Sequence, residues 1–133
     1  MYNVELKQII PANWEIETAG NRYKNMVRRY PNLSILWCAS DGMALGAVKE
    51  SYKIGYPLVT GGVDWTKEGI EAVENGELTA SIGGHFMEGG WVAVLLYDFY
   101  HGMDFKDIDL DFKSDMMAVT SKNVKEIKAK MLS

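Results

Sequence analysis

Short apolar runs alternate with amphipathic stretches along the whole chain, and this limits the available folds more than any other feature. Val4 to Ile10 reads as a strand closed by Pro11. A helix from about Glu15 to Tyr30 follows, with Ile16, Ala19, Tyr23, Met26, Val27 and Tyr30 on one stripe, and Pro31-Asn32 stops it. Ser34 to Cys38 is a continuous apolar run of the kind found in strands buried on both faces. Asp41 to Ile54 reads as a helix stopped by Gly55. Leu58–Val63 is the next strand and Thr66–Asn75 the next helix, ended by Gly76. Leu78–Gly83 is a further strand, followed by a helix from about Phe86 to His101 that Gly102 closes. Past Gly102, Met116–Thr120 reads as a strand and Asn123–Leu132 as a last helix. The strands from Val4–Ile10 to Leu78–Gly83 are expected to run parallel in one sheet with helices on both faces, an α/β fold of three αβα layers.

No linker interrupts this order, so the 133 residues are read as a single domain, 1–133. A formal charge of −4 argues against a nucleic-acid partner, which would require a dominant basic face. Lys24, Arg28 and Arg29 fall at helical spacing and read as a solvated helix face. The run from Lys122 to Lys130 alternates with Val124, Ile127 and Met131, an amphipathic pattern. Cys38 stands alone in an apolar run, so an inert buried thiol is expected and no disulfide framework exists. Met1 to Ile10 lacks the basic and apolar regions of a signal peptide, and none is expected there. Trp91 to Tyr97, the longest apolar stretch, is far short of a membrane span.

In open parallel sheets, ligands bind outside the carboxyl ends of the strands. Those ends read Ala12-Asn13-Trp14, Ala39-Ser40-Asp41, Val63-Asp64-Trp65 and Gly84-His85-Phe86. Each puts a hydrogen-bonding side chain beside a small or aromatic neighbour. The set Asn13, Trp14, Ser40, Asp41, Asp64, Trp65 and His85 suits a sugar. Carboxylates accept from adjacent hydroxyls, an amide donates and accepts, and an indole covers an apolar C–H face. Asn13, Ser40, Asp41 and Asp64 also stand just before helices, where such residues serve as N-caps, and Trp14 and Trp65 suit a core equally well. His85 and Glu88 lie three apart but lack a third ligand for zinc, so no metal is expected. No glycine pair forms a nucleotide-binding motif, and no nucleophile elbow appears. No cofactor, catalytic residue or enzyme activity is therefore expected.

The stretch YPNLSILWCASDGMALGAVKESYKI, Tyr30 to Ile54, and the later GGVDWTKEGIEAVENGELTASIGGHFMEGGW resemble consecutive strand–helix units of type I periplasmic sugar-binding proteins of the ribose-binding kind. With Ala12-Asn13-Trp14 ahead of them, the similarity runs from roughly Val4 to Phe105. The resemblance implies one incomplete C-terminal lobe, with about 103–133 as inter-lobe crossover and tail. A first lobe and the first strand–helix unit of the second would be missing from the chain. It implies a sugar or sugar-like ligand, an ABC permease or membrane receptor as partner, and a periplasmic location. Trp14 matches the aromatic that stacks on the sugar, and Asp64 a carboxylate that grips hydroxyls. Ser40 falls where many members carry Asn, and Gly84 where they carry a polar side chain, so that either His85 substitutes or the contact is missing. The same lobe also serves as the ligand-sensing domain of regulatory and signalling proteins, which is the alternative function. An isolated lobe with uncovered strand edges is expected to self-associate, or to close the gap by sliding Val4–Ile10 against Ser34–Cys38.

Overall fold

A computed structural model describes residues 4–106 and 115–131. Five helices and four strands follow one another in the order α1 (Ile16–Arg29), β1 (Ile35–Trp37), α2 (Asp41–Ile54), β2 (Val59–Val63), α3 (Lys67–Glu74), β3 (Ala80–Gly83), α4 (Met87–Tyr100), β4 (Met117–Thr120) and α5 (Val124–Met131). The strands form one open sheet in the order β1-β2-β3-β4. β1, β2 and β3 are parallel, with Ile35 opposite Val59 and Gly61 opposite Ala80. β4 joins antiparallel to β3, with Val119 opposite Ser81. The α/β class and the mostly parallel sheet agree with the sequence pattern, and each expected helix appears. Residue 132, the expected end of the last helix, and residues 107–114 of the expected crossover lie outside the described residues.

One expectation about the strands is corrected. Val4–Ile10 is not a strand: it pairs with nothing in the sheet, and Val4, Leu6 and Ile9 are 73%, 74% and 82% exposed. A strand exists only through a partner that takes up its N–H and C=O groups. β1 pairs with β2 alone, so the local repair by Val4–Ile10 does not occur and one edge of the sheet stays open. The helices distribute unevenly over the two faces of the sheet. α2, α3 and α5 pack one face, where Ala44, Val48, Ile70, Val73, Leu78, Val119 and Ile127 form the core. On the other face Ile35, Trp37 and Val59 remain about half exposed, and α4 buries none of its residues.

α1 lies against α2 rather than on the sheet, and glycine decides how closely. A Cβ at Gly46 would sit 2.1 Å from the Ile16 carbonyl oxygen, and one at Gly20 would sit 2.9 Å from the Gly46 carbonyl oxygen. The two backbones meet because neither glycine has a side chain. Tyr23, 1% exposed, anchors the far end by donating its hydroxyl to the Tyr56 carbonyl oxygen, while Tyr56 donates its own to the Pro31 carbonyl oxygen. Burial, and then the neighbouring Tyr56, push the Tyr23 phenol above its ordinary pKa. Local signals fix the helix ends. Ser40 Oγ accepts from the Met43 N–H at 3.2 Å, Thr66 Oγ1 accepts from the Gly69 N–H at 3.0 Å, and Gly55 ends α2 at φ 67°.

Asp41, expected at the ligand site, lies inside the fold instead, with no exposed surface. Its Oδ1 accepts from Ser81 Oγ at 2.7 Å on β3, and its Oδ2 accepts from the Thr66 N–H at 3.0 Å and Thr66 Oγ1 at 3.3 Å ahead of α3. The carboxyl occupies the space that side chains at Gly62 and Gly69 would fill, since a Cβ at those glycines would come within 2.5 and 2.1 Å of its oxygens. A ligand cannot reach it. Desolvation raises its pKa most, and the nearby Asp64 raises it further, against the hydrogen bonds from Ser81 and Thr66, which lower it.

Gly46→Ala should force α1 off α2 and destabilise the chain by about 1–3 kcal/mol, the usual cost of overpacking, read as a lower thermal midpoint. A midpoint unchanged from wild type would show that the helix contact yields without cost. The raised Asp41 value has a sign that melts can read. The carboxyl contributes its full share of stability below its ordinary 3.8 and loses it as pH rises through the folded value. Asp41→Asn cannot ionise, so from pH 4 to 7 the midpoint difference should move in favour of the variant. A constant difference across that window would place the carboxyl at its ordinary value.

Candidate functional site

The carboxyl ends of β1, β2 and β3 and the turn before α1 carry the residues picked out above, and backbone geometry separates them from ordinary turns. Among the described residues, the non-glycine residues with left-handed φ are Asn13 at 53°, Trp14 at 62°, Asp64 at 113° and Trp65 at 56°. They form two consecutive pairs, Asn-Trp and Asp-Trp, one before α1 and one between β2 and α3. Such φ values cost side-chain-bearing residues free energy, and strain of this kind concentrates at functional positions. Capping does not account for them. Glu15 stands at the N-cap of α1 and Thr66 at that of α3, so neither Asn13 nor Asp64 caps the following helix.

The side chains divide into inward and outward groups. Trp65 is largely structural. Its Nε1–H donates to the Ser81 carbonyl oxygen at 3.0 Å, and its backbone N–H donates to Ser81 Oγ at 3.3 Å. The indole lies where a side chain at Gly83 would go, packs against the core, and meets the Phe86 ring at 6.4 Å between centroids. Ser40 spends its hydroxyl on capping α2. Asp64 and His85, from neighbouring strand ends, come together with Asp64 Oδ1 3.6 Å from His85 Nε2, both side chains part-exposed at 40% and 35%. His85 Nδ1 is buried without a hydrogen-bond partner, so the ring holds a polar atom that the fold does not satisfy. Trp14 is 72% exposed, with a free indole face at the head of α1, and Asn13 beside it is exposed as well.

Of the expected residues, Asn13, Trp14, Asp64 and His85 are outward, and among them Asp64 and His85 come together; Asp41 and Trp65 lie inward. Sequence reasoning missed Ser81 and Thr66, which hold Asp41 and Trp65 in place. A buried serine within an otherwise apolar strand was the available signal. No group of three or more potential metal-ligating residues assembles among the described residues. Cys38 packs against the core, and burial pushes its thiol up to about 11, as an inert cysteine requires. A hollow of about 490 Å³ at the opposite, amino-terminal edge, lined by Leu33, Tyr56, Pro57 and Leu58, brings none of the outward residues together. No helix of the described residues is long and apolar enough to cross a membrane.

No model of a known protein family matches the chain. Over 75 residues, 54% of its length, it is 37% identical to the D-allose-binding periplasmic protein of Escherichia coli, of which it spans 24%. Among solved structures, a periplasmic sugar-binding protein from Pseudomonas fluorescens matches 90% of the chain at a TM-score of 0.77 and 29% identity, over 38% of that protein's length. An ABC transporter periplasmic solute-binding protein from Actinobacillus succinogenes, with bound D-allose, matches 86% at a TM-score of 0.74 and 26% identity, over 40% of its length. The chain thus spans a quarter to two fifths of these relatives. With the open parallel sheet and the polar strand ends already in place, the similarity is to part of a type I periplasmic sugar-binding protein.

Proposed function

We propose that this chain carries one wall of a sugar-binding cleft, in a periplasmic protein that delivers its ligand to an ABC importer and catalyses no reaction. The reading rests on Asn13, Trp14 and Asp64, whose left-handed φ values capping does not require. Trp14 offers an indole face for the apolar side of a pyranose ring. Asp64 accepts from adjacent hydroxyls, His85 presents the part-exposed edge of its ring beside Asp64, and Asn13 both donates and accepts. Ser40 borders the same edge. The ligand of the Actinobacillus relative and the name of the Escherichia coli one make D-allose the first probe.

Solute clefts bind tightly by burying most of the ligand. One wall supplies about half the contacts, so the 133-residue chain alone should bind D-allose with a Kd on the order of millimolar or weaker. Micromolar binding by calorimetry would contradict the single-wall argument. In a two-lobed protein carrying this sequence, Asp64→Ala should cost about 1.5–3 kcal/mol of binding, the range for hydrogen bonds to a charged group. The thermal midpoint should change little, because Asp64 caps no helix. Lower stability with unchanged affinity would assign Asp64 to the fold alone.

A further inference from the structure

The backbone of Asp64 is fixed and its carboxylate is not. Its N–H donates to the Ile82 carbonyl oxygen on β3 at 2.8 Å. Among the described residues, its side chain meets one ion-pairing group, His85, whose Nε2 lies 3.6 Å from Oδ1. That distance exceeds hydrogen-bond length, but both side chains are part-exposed and a small rotation closes it. The nearby Asp41 carboxyl brings like charge rather than a donor.

The other nitrogen of the ring decides what His85 can offer. Nδ1 is buried and has no hydrogen-bond partner. A proton there would leave a buried N–H without an acceptor, which native structures rarely tolerate; a bare acceptor is the milder deficit. The neutral imidazole carries its proton on one nitrogen or the other. Burial of Nδ1 therefore sends it to Nε2, the nitrogen that faces Asp64. The turn beneath the ring is itself pinned. Gly84 stands at φ 108°, the His85 carbonyl oxygen accepts from the Glu88 N–H at 3.0 Å, and Phe86 meets the Trp65 ring.

We infer that His85 is a positioning residue: its Nε2–H holds Asp64 Oδ1 and leaves Oδ2 to accept from a hydroxyl of the ligand. This role rests on the sugar-cleft reading of Asp64. Asp64 touches the ligand, whereas His85 acts through Asp64. A binding group already oriented by a second one has less freedom to lose when the ligand arrives.

Proton–nitrogen NMR of the histidine rings, in a two-lobed protein carrying this sequence, reads the tautomer directly. The His85 signals are those lost in His85→Gln. With the ring neutral, the proton should reside on Nε2, and Asp64→Asn should shift that nitrogen more than Nδ1. A proton on Nδ1 overturns the assignment whether or not a sugar binds. Calorimetry with D-allose as the probe reads the consequence. His85→Phe keeps a ring, removes both nitrogens, and should weaken binding about tenfold, as for one lost hydrogen bond to a charged group. His85→Gln, whose amide reaches the Nε2 position, should recover most of that loss. His85→Asn, whose amide ends at the Nδ1 position, should not. In an Asp64→Ala background, His85→Phe should weaken binding no further, because its effect runs through the carboxylate. A tenfold loss in that background would put His85 on the ligand itself and overturn the positioning role, as would unchanged affinity in His85→Phe alone. Unchanged affinity in Asp64→Ala alone would instead strike the cleft reading, and the role of His85 with it.

Discussion

The buried carboxylate of Asp41 is the interaction on which the rest of this structure depends. It sits in the first turn of α2, yet its oxygens are spent on β3 through Ser81 and on the approach to α3 through Thr66. Consecutive strand–helix units are thus tied together at the carboxyl edge of the sheet, where the strands would otherwise splay. Gly62 and Gly69 are explained by the same group, because its carboxyl fills the volume that any side chain there would need. A buried charged group with so many partners is a poor source of net stability but a strong determinant of register, since any alternative packing leaves it unsatisfied. Ser81 extends the tie, bonding Asp41 with its hydroxyl and Trp65 with its carbonyl oxygen. Asp64 lies near enough to this junction to act on the Asp41 carboxyl, and its own side chain approaches His85.

The helices were legible in the sequence because their signals are local. Gly55 stops α2 and a serine or threonine precedes α2 and α3, so boundaries fall within a residue or two of expectation. The three parallel strands were legible from their apolar runs for the same reason. Val4–Ile10 has equally good strand composition and failed, because composition says whether a segment can pair and not whether a partner is beside it. The placement of α4 shows the same limit. α4 has the sequence of a covering helix, but covering requires contacts that the described chain does not provide.

The site divides along a similar line. The strand ends point to one edge of the sheet, since rules for parallel sheets name it without detail. They did not tell Asp41 from Asp64, two aspartates in matching positions with opposite fates. What separates them is the volume beneath: Asp41 points toward two glycines, whereas Asp64 stands at φ 113° and turns outward to His85. Neither fact has a one-residue signature. Both depend on residues about twenty positions away.

The contact between α1 and α2 bears on the site at a distance. Ile16, whose carbonyl rests on Gly46, lies two residues beyond Trp14, so the exposed indole is mounted on the end of a helix whose offset is set by a missing side chain. Gly46 therefore acts as the spacer of a lever. Any residue larger than glycine there would shift α1, and Trp14 with it, away from α2. The position of the indole is thus set from the far side of α1, by a residue that never touches it.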